Sequence, residues 1–243
     1  MISKHLQYKM MYFLHKIPFC YSIVEKIYRS IFKKHLEAYR SRYFNKKALE
    51  VLSIFHECME TYNIEYTLAF GSLLGAIREK GFIKHDQDID VMLWNDKTSE
   101  HVRDALLQFG FKLSHEFLID NGMYGREETY DLDGVSIDVF YIYDNEYGIY
   151  CCDFPIGKDC PTYQIAMEKY GNITPRRLEL PFKRDRVLTQ FEHLRLYIPC
   201  NAFDLLECRY GSDYMIPKTD WGITSYDNHI VMWNDKKAYF IEY

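Results

Sequence analysis

Three aspartates, Asp86, Asp88 and Asp90, alternate through the run HDQDIDV. Alternate residues of a β-strand share a face, so Asp88 and Asp90 project one way while Ile89 and Val91 face a core, and Asp86 extends the row if the strand begins early. Carboxylates set side by side repel one another, and each is costly to hold ionised without a partner. Hard oxygen ligands in this number suit Mg²⁺ or Mn²⁺, which take one or two carboxylates and fill their other positions with water and substrate phosphate. A later acid, Asp138, has the same setting between Ile137 and Val139. If its strand lies beside the first, Asp88, Asp90 and Asp138 converge on one or two metal ions. An ion-pair network with Arg78, Lys80 and Lys84 is the competing reading of the same residues.

The turn upstream favours the metal reading. Gly71 and Ser72 follow a strand candidate and open a helix candidate, so backbone N–H groups and the positive end of the helix dipole point at whatever sits there. Phosphate is commonly held in that way. The turn amides of Gly71 and Ser72, with Arg78 and Lys80, are then expected to contact a diphosphate whose other side is neutralised by metal.

Elements able to position these groups are legible on either side. EYTLAF (65–70) and DIDVML (88–93) read as strands, and SLLGAIRE (72–79) as a short helix capped by its own Ser72. Residues 47–62 form a helix with Leu49, Leu52, Phe55, His56 and Met59 near one face. Residues 96–111 predict a third helix ending at Gly110. In ETYDLDGVSIDVFYI, Asp133-Gly134 predicts a hairpin between two strands. Helices are expected at 164–170 and at 202–210, the latter stopped by Gly211.

At 243 residues, with 22 Tyr and 16 Phe, the chain can build a sizeable core without metal or disulfide staples. Seven Cys at irregular spacing and no secretory leader pattern predict a reduced, cytoplasmic protein. No C-x-x-C or H-x-x-H pair suggests zinc, and G-x-S-x-G is absent. No nucleic-acid partner is expected. The net charge of −5 is uneven: residues 1–47 carry 11 Lys or Arg against Glu25 and Glu37, leaving −14 for the remainder. Within 19–44, Ile23, Ile27 and Ile31 form a stripe among Lys26, Arg29, Lys33 and Lys34. That composition fits a helix lying on an anionic membrane surface, and equally a helix packed on its own domain. Residues 1–44 are therefore set apart from a domain at 45–243. A second basic cluster, Arg176, Arg177, Lys183, Arg184 and Arg186, reads as a solvated loop, with an anionic acceptor as its alternative ligand.

The run YTLAFGSLLGAIREKGFIKHDQDIDV resembles the signature of the LicD/fukutin-related family within the nucleotidyltransferase-fold superfamily. VSIDVFYI and YIPCNAFDLLECRYGSDYMIP resemble its later blocks, so the likeness spans roughly residues 49–217. The resemblance implies an α/β (α+β) fold, a nucleotidyltransferase-like mixed β-sheet flanked by helices. It also implies a metal-dependent transfer of a phosphocholine-, phosphoethanolamine- or polyol-phosphate-like group. By the same resemblance the donor is expected to be CDP-linked, the acceptor a hydroxyl of a cell-surface glycan or glycolipid and CMP the released product, with the protein cytoplasmic and peripheral to the inner membrane face. The acceptor hydroxyl then has to lose its proton, to Asp138 or Asp86, with His85 the weaker candidate. Asp88, Asp90 and Asp138 become the metal ligands, with Gly71, Ser72, Arg78 and Lys80 on the donor phosphates. Many relatives have Trp-Asp-Asp or Trp-Asp-Tyr where this chain has His85-Asp86-Gln87. Addition of NMP to a small molecule with release of pyrophosphate, or non-catalytic glycan binding, are the alternatives.

Overall fold

The computed structural model describes residues 33–157, 159–217 and 229–243. Of the basic stripe read over residues 19–44, residues 19–32 lie outside them. Helix α1 (Lys33–Thr61) is continuous through residues 44–47, where two separate helices were expected. Its buried positions Phe44, Ala48, Val51, Leu52, Phe55 and Met59 recur at three- and four-residue spacing, one apolar helical face. The face is rotated slightly from the expected one, since His56 is only half-buried.

A nine-stranded mixed sheet forms the body. Strand β1 (Thr67–Leu68) pairs with β2 (Asp88–Trp94), and helix α2 (Phe70–Arg78) lies between them in sequence. The third helix is split into a 3₁₀ turn at Lys97–Ser99 and α3 (Val102–Gln108). Asp96 accepts from the Thr98 N–H while Ser99 reaches back to the Asp96 N–H, a capping box that closes the short turn on itself. Strands β3 (Lys112–Ile119), β4 (Gly125–Leu132), β5 (Val135–Asn145) and β6 (Gly148–Asp153) follow. The expected β4–β5 hairpin turns at Asp133 and Gly134, both at positive φ (52° and 77°), as a two-residue hairpin of matching twist requires.

Helix α4 (Tyr163–Tyr170) is capped by Thr162, whose hydroxyl accepts from the Ile165 N–H. Strand β7 (Arg176–Leu178) joins the main sheet, whereas β8 (Arg186–Phe191) and β9 (Leu194–Pro199) make a separate hairpin. After α5 (Ala202–Tyr210), β10 (Ile230–Met232) and β11 (Ala238–Glu242) close opposite edges of the main sheet.

β2 and β5 run parallel, and the other pairings are antiparallel. Ile89, Val91, Ile137 and Val139 are fully buried on one face, each worth roughly 1.5–3 kcal/mol of transfer free energy. α3 covers that face, because its Arg103 reaches Glu116 on β3 and Glu128 on β4, and α1 packs beside α3. Glu128 also accepts from the Tyr130 and Tyr141 hydroxyls, so this buried charge is fully engaged. The face bearing Asp88, Asp90 and Asp138 is met by α2 instead.

Candidate active site

The geometry begins at the entry to α2. Its N-cap, Ala69, is extended and offers no side-chain cap, and the helix starts at Phe70, two residues before the expected start. Phe70 lies at φ 37°, in the left-handed region that bulky residues rarely adopt, at a cost of about 1–3 kcal/mol. A T-shaped contact with Phe140 of β5 (centroids 4.7 Å apart) helps hold it, with the Arg209 guanidinium 5.5 Å from its ring. The Gly71 N–H then donates to Asp90 Oδ2 at 2.9 Å, and the Asp90 N–H donates to Ser72 Oγ at 2.9 Å. Ser72 is buried, and its hydroxyl fastens helix to strand; this use across the interface is why it does not cap its own helix. The Gly71 amide, expected to face a phosphate, is likewise engaged with an acid.

Asp90 and Asp138 are Cα partners on the parallel strands β2 and β5, about 4.8 Å apart in the pairing direction. On the far side of β5, Thr129 of β4 is the partner of Asp138 and its Oγ1 donates to Asp138 Oδ1 at 2.7 Å. Asp86 precedes β2 in a tight turn where its Oδ2 accepts from the Ile83 N–H at 3.2 Å. Burial holds the Asp90 carboxyl well above the usual carboxylate range, helped by Asp88, Asp138 and Asp86, while the Gly71 N–H pulls it back. Glu127 on β4 is raised in the same way, by burial and then by Asp138, Asp153 and Asp90.

Among the described residues no three His, Cys, Asp or Glu side chains are gathered closely enough to hold a metal ion. The donor set nevertheless has the right chemistry for a divalent cation. It is made of hard carboxylate oxygens on adjacent strands whose ionised forms disfavour one another, a repulsion that such a cation would reverse. Asp88, Asp90 and Asp138 are the residues that would hold it.

A cavity of about 500 Å³ opens at the Asp86 end of this row, lined by Gly71, Arg78, His85, Asp86, Tyr210 and Tyr214 among others. Arg78 Nη1 donates to the Tyr214 carbonyl at 3.4 Å, and its Nε pairs with Glu79 at 2.8 Å. Tyr210 is buried, and burial beside Asp90 pushes its hydroxyl above the usual phenol range. Lys80 does not line the cavity. It is exposed at φ 58°, and its carbonyl accepts from the Glu192 N–H at 2.6 Å.

The site therefore draws together Gly71, Asp86, Asp88, Asp90 and Asp138, with Arg78 on the cavity wall, Ser72 turned into the fold and Lys80 apart. Glu127, Thr129, Tyr210 and Tyr214 escaped the sequence reading. The alternation of GREETYDL was the available signal for Glu127 and Thr129, because it places them on one face once β4 is paired with β5.

The second basic cluster is a loop only in part: Lys183 and Arg184 are exposed between strands, whereas Arg176 and Arg177 lie on β7 and Arg186 on β8. Arg176 pairs with Asp153, Arg177 with Glu179, Arg184 with Asp96 and Arg186 with Glu65. Arg186 also lies 3.8 Å over the Tyr197 ring, and Arg184 lies 4.5 Å over that of Trp94.

A family model described as "LicD/FKTN/FKRP, nucleotidyltransferase domain" matches residues 63–201. Human ribitol-5-phosphate transferase FKTN (Homo sapiens) is 22% identical over 201 residues, covering 79% of this chain and 39% of that protein. The mouse protein of the same name (Mus musculus) is 21% identical over 183 residues, covering 73% and 35%. Lipopolysaccharide cholinephosphotransferase LicD of Haemophilus influenzae is 48% identical over 54 residues, which are 22% of this chain and 20% of that one. The chain thus spans less than two-fifths of the length of these curated relatives.

Proposed function

Because this chain belongs to the LicD/FKTN/FKRP nucleotidyltransferase-domain family, we propose that it transfers a substituted phosphate from a CDP-linked donor to a hydroxyl of a surface glycan or glycolipid, releasing CMP. The relatives are named as transferases of ribitol 5-phosphate and of choline phosphate, the second acting on lipopolysaccharide. The observation that carries the reading is the side-by-side placement of Asp90 and Asp138 on parallel strands, with the Asp90 carboxylate tied to the start of α2.

When bound at Asp88, Asp90 and Asp138, Mg²⁺ or Mn²⁺ supplies charge neutralisation for the donor's phosphates. The chain's own contribution is positioning. Gly71 and Ser72 fix Asp90 from its carboxylate and its backbone, and Thr129 fixes Asp138. The cavity beside Asp86 takes the nucleotide end of the donor, where Arg78 offers a guanidinium to phosphate and Tyr210 and Tyr214 offer ring faces. Phosphoryl transfer asks little covalent chemistry of a protein, so a site of this kind works by alignment and electrostatics.

Residues 1–44, resting on an anionic cytoplasmic leaflet, would bring the domain to glycolipid acceptors. No helix among the described residues is long and apolar enough to cross a membrane.

The test is to incubate the protein with Mg²⁺ and a panel including CDP-choline and CDP-ribitol, with and without lipopolysaccharide, and to identify the released nucleotide by mass. Release of CMP with labelled glycan supports transfer. Pyrophosphate release from nucleoside triphosphates would assign nucleotidyl transfer instead, and no thermal shift with Mg²⁺ plus nucleotide would favour a non-catalytic binding module.

A further inference from the structure

The carboxylate of Glu127 is left without a task by the reading above. It lies on β4 two residues before Thr129, hence on the same sheet face, and its Cα partner on β5 is Phe140, two residues beyond Asp138. That makes it a diagonal neighbour of Asp138, within roughly 7–8 Å. It is half-buried, yet among the described residues it makes no hydrogen bond and no ion pair. The acids around it are otherwise occupied. Glu128 is taken by Arg103, Tyr130 and Tyr141, Asp153 by Arg176, and Asp138 accepts from Thr129. A partly buried carboxylate without a cation or donor is costly, and such groups concentrate where a ligand uses them.

Its place along the row gives the use. The cavity with Gly71 and Asp86 lies before the start of β2; from it the row passes Asp90 on β2, crosses to Asp138 on β5 and ends at Glu127 on β4, which is level with Phe140, two residues further along β5. In phosphoryl transfer the attacking and leaving oxygens lie on opposite sides of the phosphorus. With the nucleotide at the cavity end, the attacking hydroxyl arrives from the Glu127 end.

We propose that Glu127 is the acceptor-side carboxylate: it accepts a hydrogen bond from the attacking hydroxyl and takes its proton. As the new O–P bond forms, the P–O bond to the nucleotide breaks, its electron pair leaves with the nucleoside monophosphate, and the hydroxyl proton passes to Glu127. This inference rests on the transfer reading. It differs from the sequence-based expectation of Asp138, Asp86 or His85 as base. Asp138 and Asp86 already have a carboxylate oxygen engaged in holding the site, and His85 is exposed at the cavity rim.

The experiment compares wild type, E127Q, E127A and E127D as full chains with Mg²⁺ and CDP-choline or CDP-ribitol. It measures CMP release to water and to lipopolysaccharide, and the donor-induced thermal shift. E127Q and E127A should lose about 10²- to 10⁴-fold in kcat, keep the donor-induced shift and melt no lower than wild type, while E127D recovers part of the rate. E127Q turning over at the wild-type rate, or loss of the donor-induced shift along with activity, would overturn the assignment to Glu127 alone. A wild type that releases no CMP under any condition would instead sink the transfer reading on which it stands.

Discussion

Gly71 and Asp90 are in contact through the shortest available route, a backbone N–H on a carboxylate oxygen at 2.9 Å, with no room for a side chain between them. A Cβ at position 71 would come within 3.1 Å of Asp90 Oδ2 and 3.7 Å of Asp86 Oδ1. Gly71→Ala should therefore push the Asp90 carboxylate by a few tenths of an ångström. CMP release should fall at least tenfold while the urea midpoint changes by less than the equivalent of about 1 kcal/mol. Unchanged turnover in G71A would show that Asp90 need not be held there.

Removing one charge from the acid row should help the fold and harm the function. Asp90 is raised by burial and by three acidic neighbours, so Asp90→Asn relieves repulsion in protein stripped of metal. In EDTA at neutral pH, D90N should melt above wild type, and on adding Mg²⁺ the wild type should gain in melting temperature while the variant gains little. Equal Mg²⁺ responses would remove Asp90 from the metal-binding residues.

His56 gives stability a pH dependence at the far side of the fold. Its Nδ1 is 2.9 Å from the hydroxyl of buried Tyr66, and burial lowers its pKa below the usual histidine value, opposed by the Glu60 carboxylate and aided by Arg186. The unfolded chain therefore binds the proton more readily, and stability rises with pH. The His56 contribution is fully present above the unfolded value of about 6.5 and is lost as pH falls below it. Wild type should lose more melting temperature than His56→Gln between pH 7.5 and pH 5, and parallel curves would contradict this.

Behind the site, Arg103 is the cation shared by Glu116 and Glu128, which are 3% and 0% exposed. Arg103→Leu leaves two buried carboxylates with one cation fewer, so chemical denaturation should report a loss of about 3 kcal/mol or more. A loss below about 1 kcal/mol would mean that water reaches the pair.

The membrane proposal is best tested without disturbing the core. Phe44 is buried against Phe82, with ring centroids 4.9 Å apart, and the Tyr43 hydroxyl donates to the Asp133 carbonyl at 2.9 Å. Deleting residues 1–38 spares both contacts. The truncated chain should keep its urea midpoint and lose sedimentation with phosphatidylserine vesicles, and full retention on vesicles would rule this segment out as the anchor.

The parts of the fold that could be read in the sequence are those with strict alternation and a strong turn. Ile89 and Val91 flanking Asp90, and Ile137 and Val139 flanking Asp138, announced two strands with acids on one face, and Asp133-Gly134 announced the turn before the second. The pairing of β2 with β5 is a tertiary fact, set across α3, β3 and β4, and no local pattern reports it. Glu127 stayed hidden because it adjoins Glu128: two consecutive acids face opposite sides, and only the assembled sheet says which meets the site and which meets Arg103. Ser72 was misassigned as a cap for a related reason. A serine at a strand-to-helix turn usually serves its own helix, and here the Asp90 N–H on the neighbouring strand claims it.

Helix α2 is moored at both ends. Its start is bonded to β2 through Gly71 and Ser72, and at its other end a Cβ on Gly75 would stand 2.4 Å from the Gly81 carbonyl oxygen, while the Glu192 N–H of the β8–β9 turn grips the Lys80 carbonyl. The nine-residue helix is thus tied to β2 on one side and to the β8–β9 turn on the other. On the proposed transfer the cavity takes the nucleotide common to every CDP-linked donor, so discrimination among head groups falls to residues beyond the acid row, on the β5 and β4 side, while one frame serves each donor.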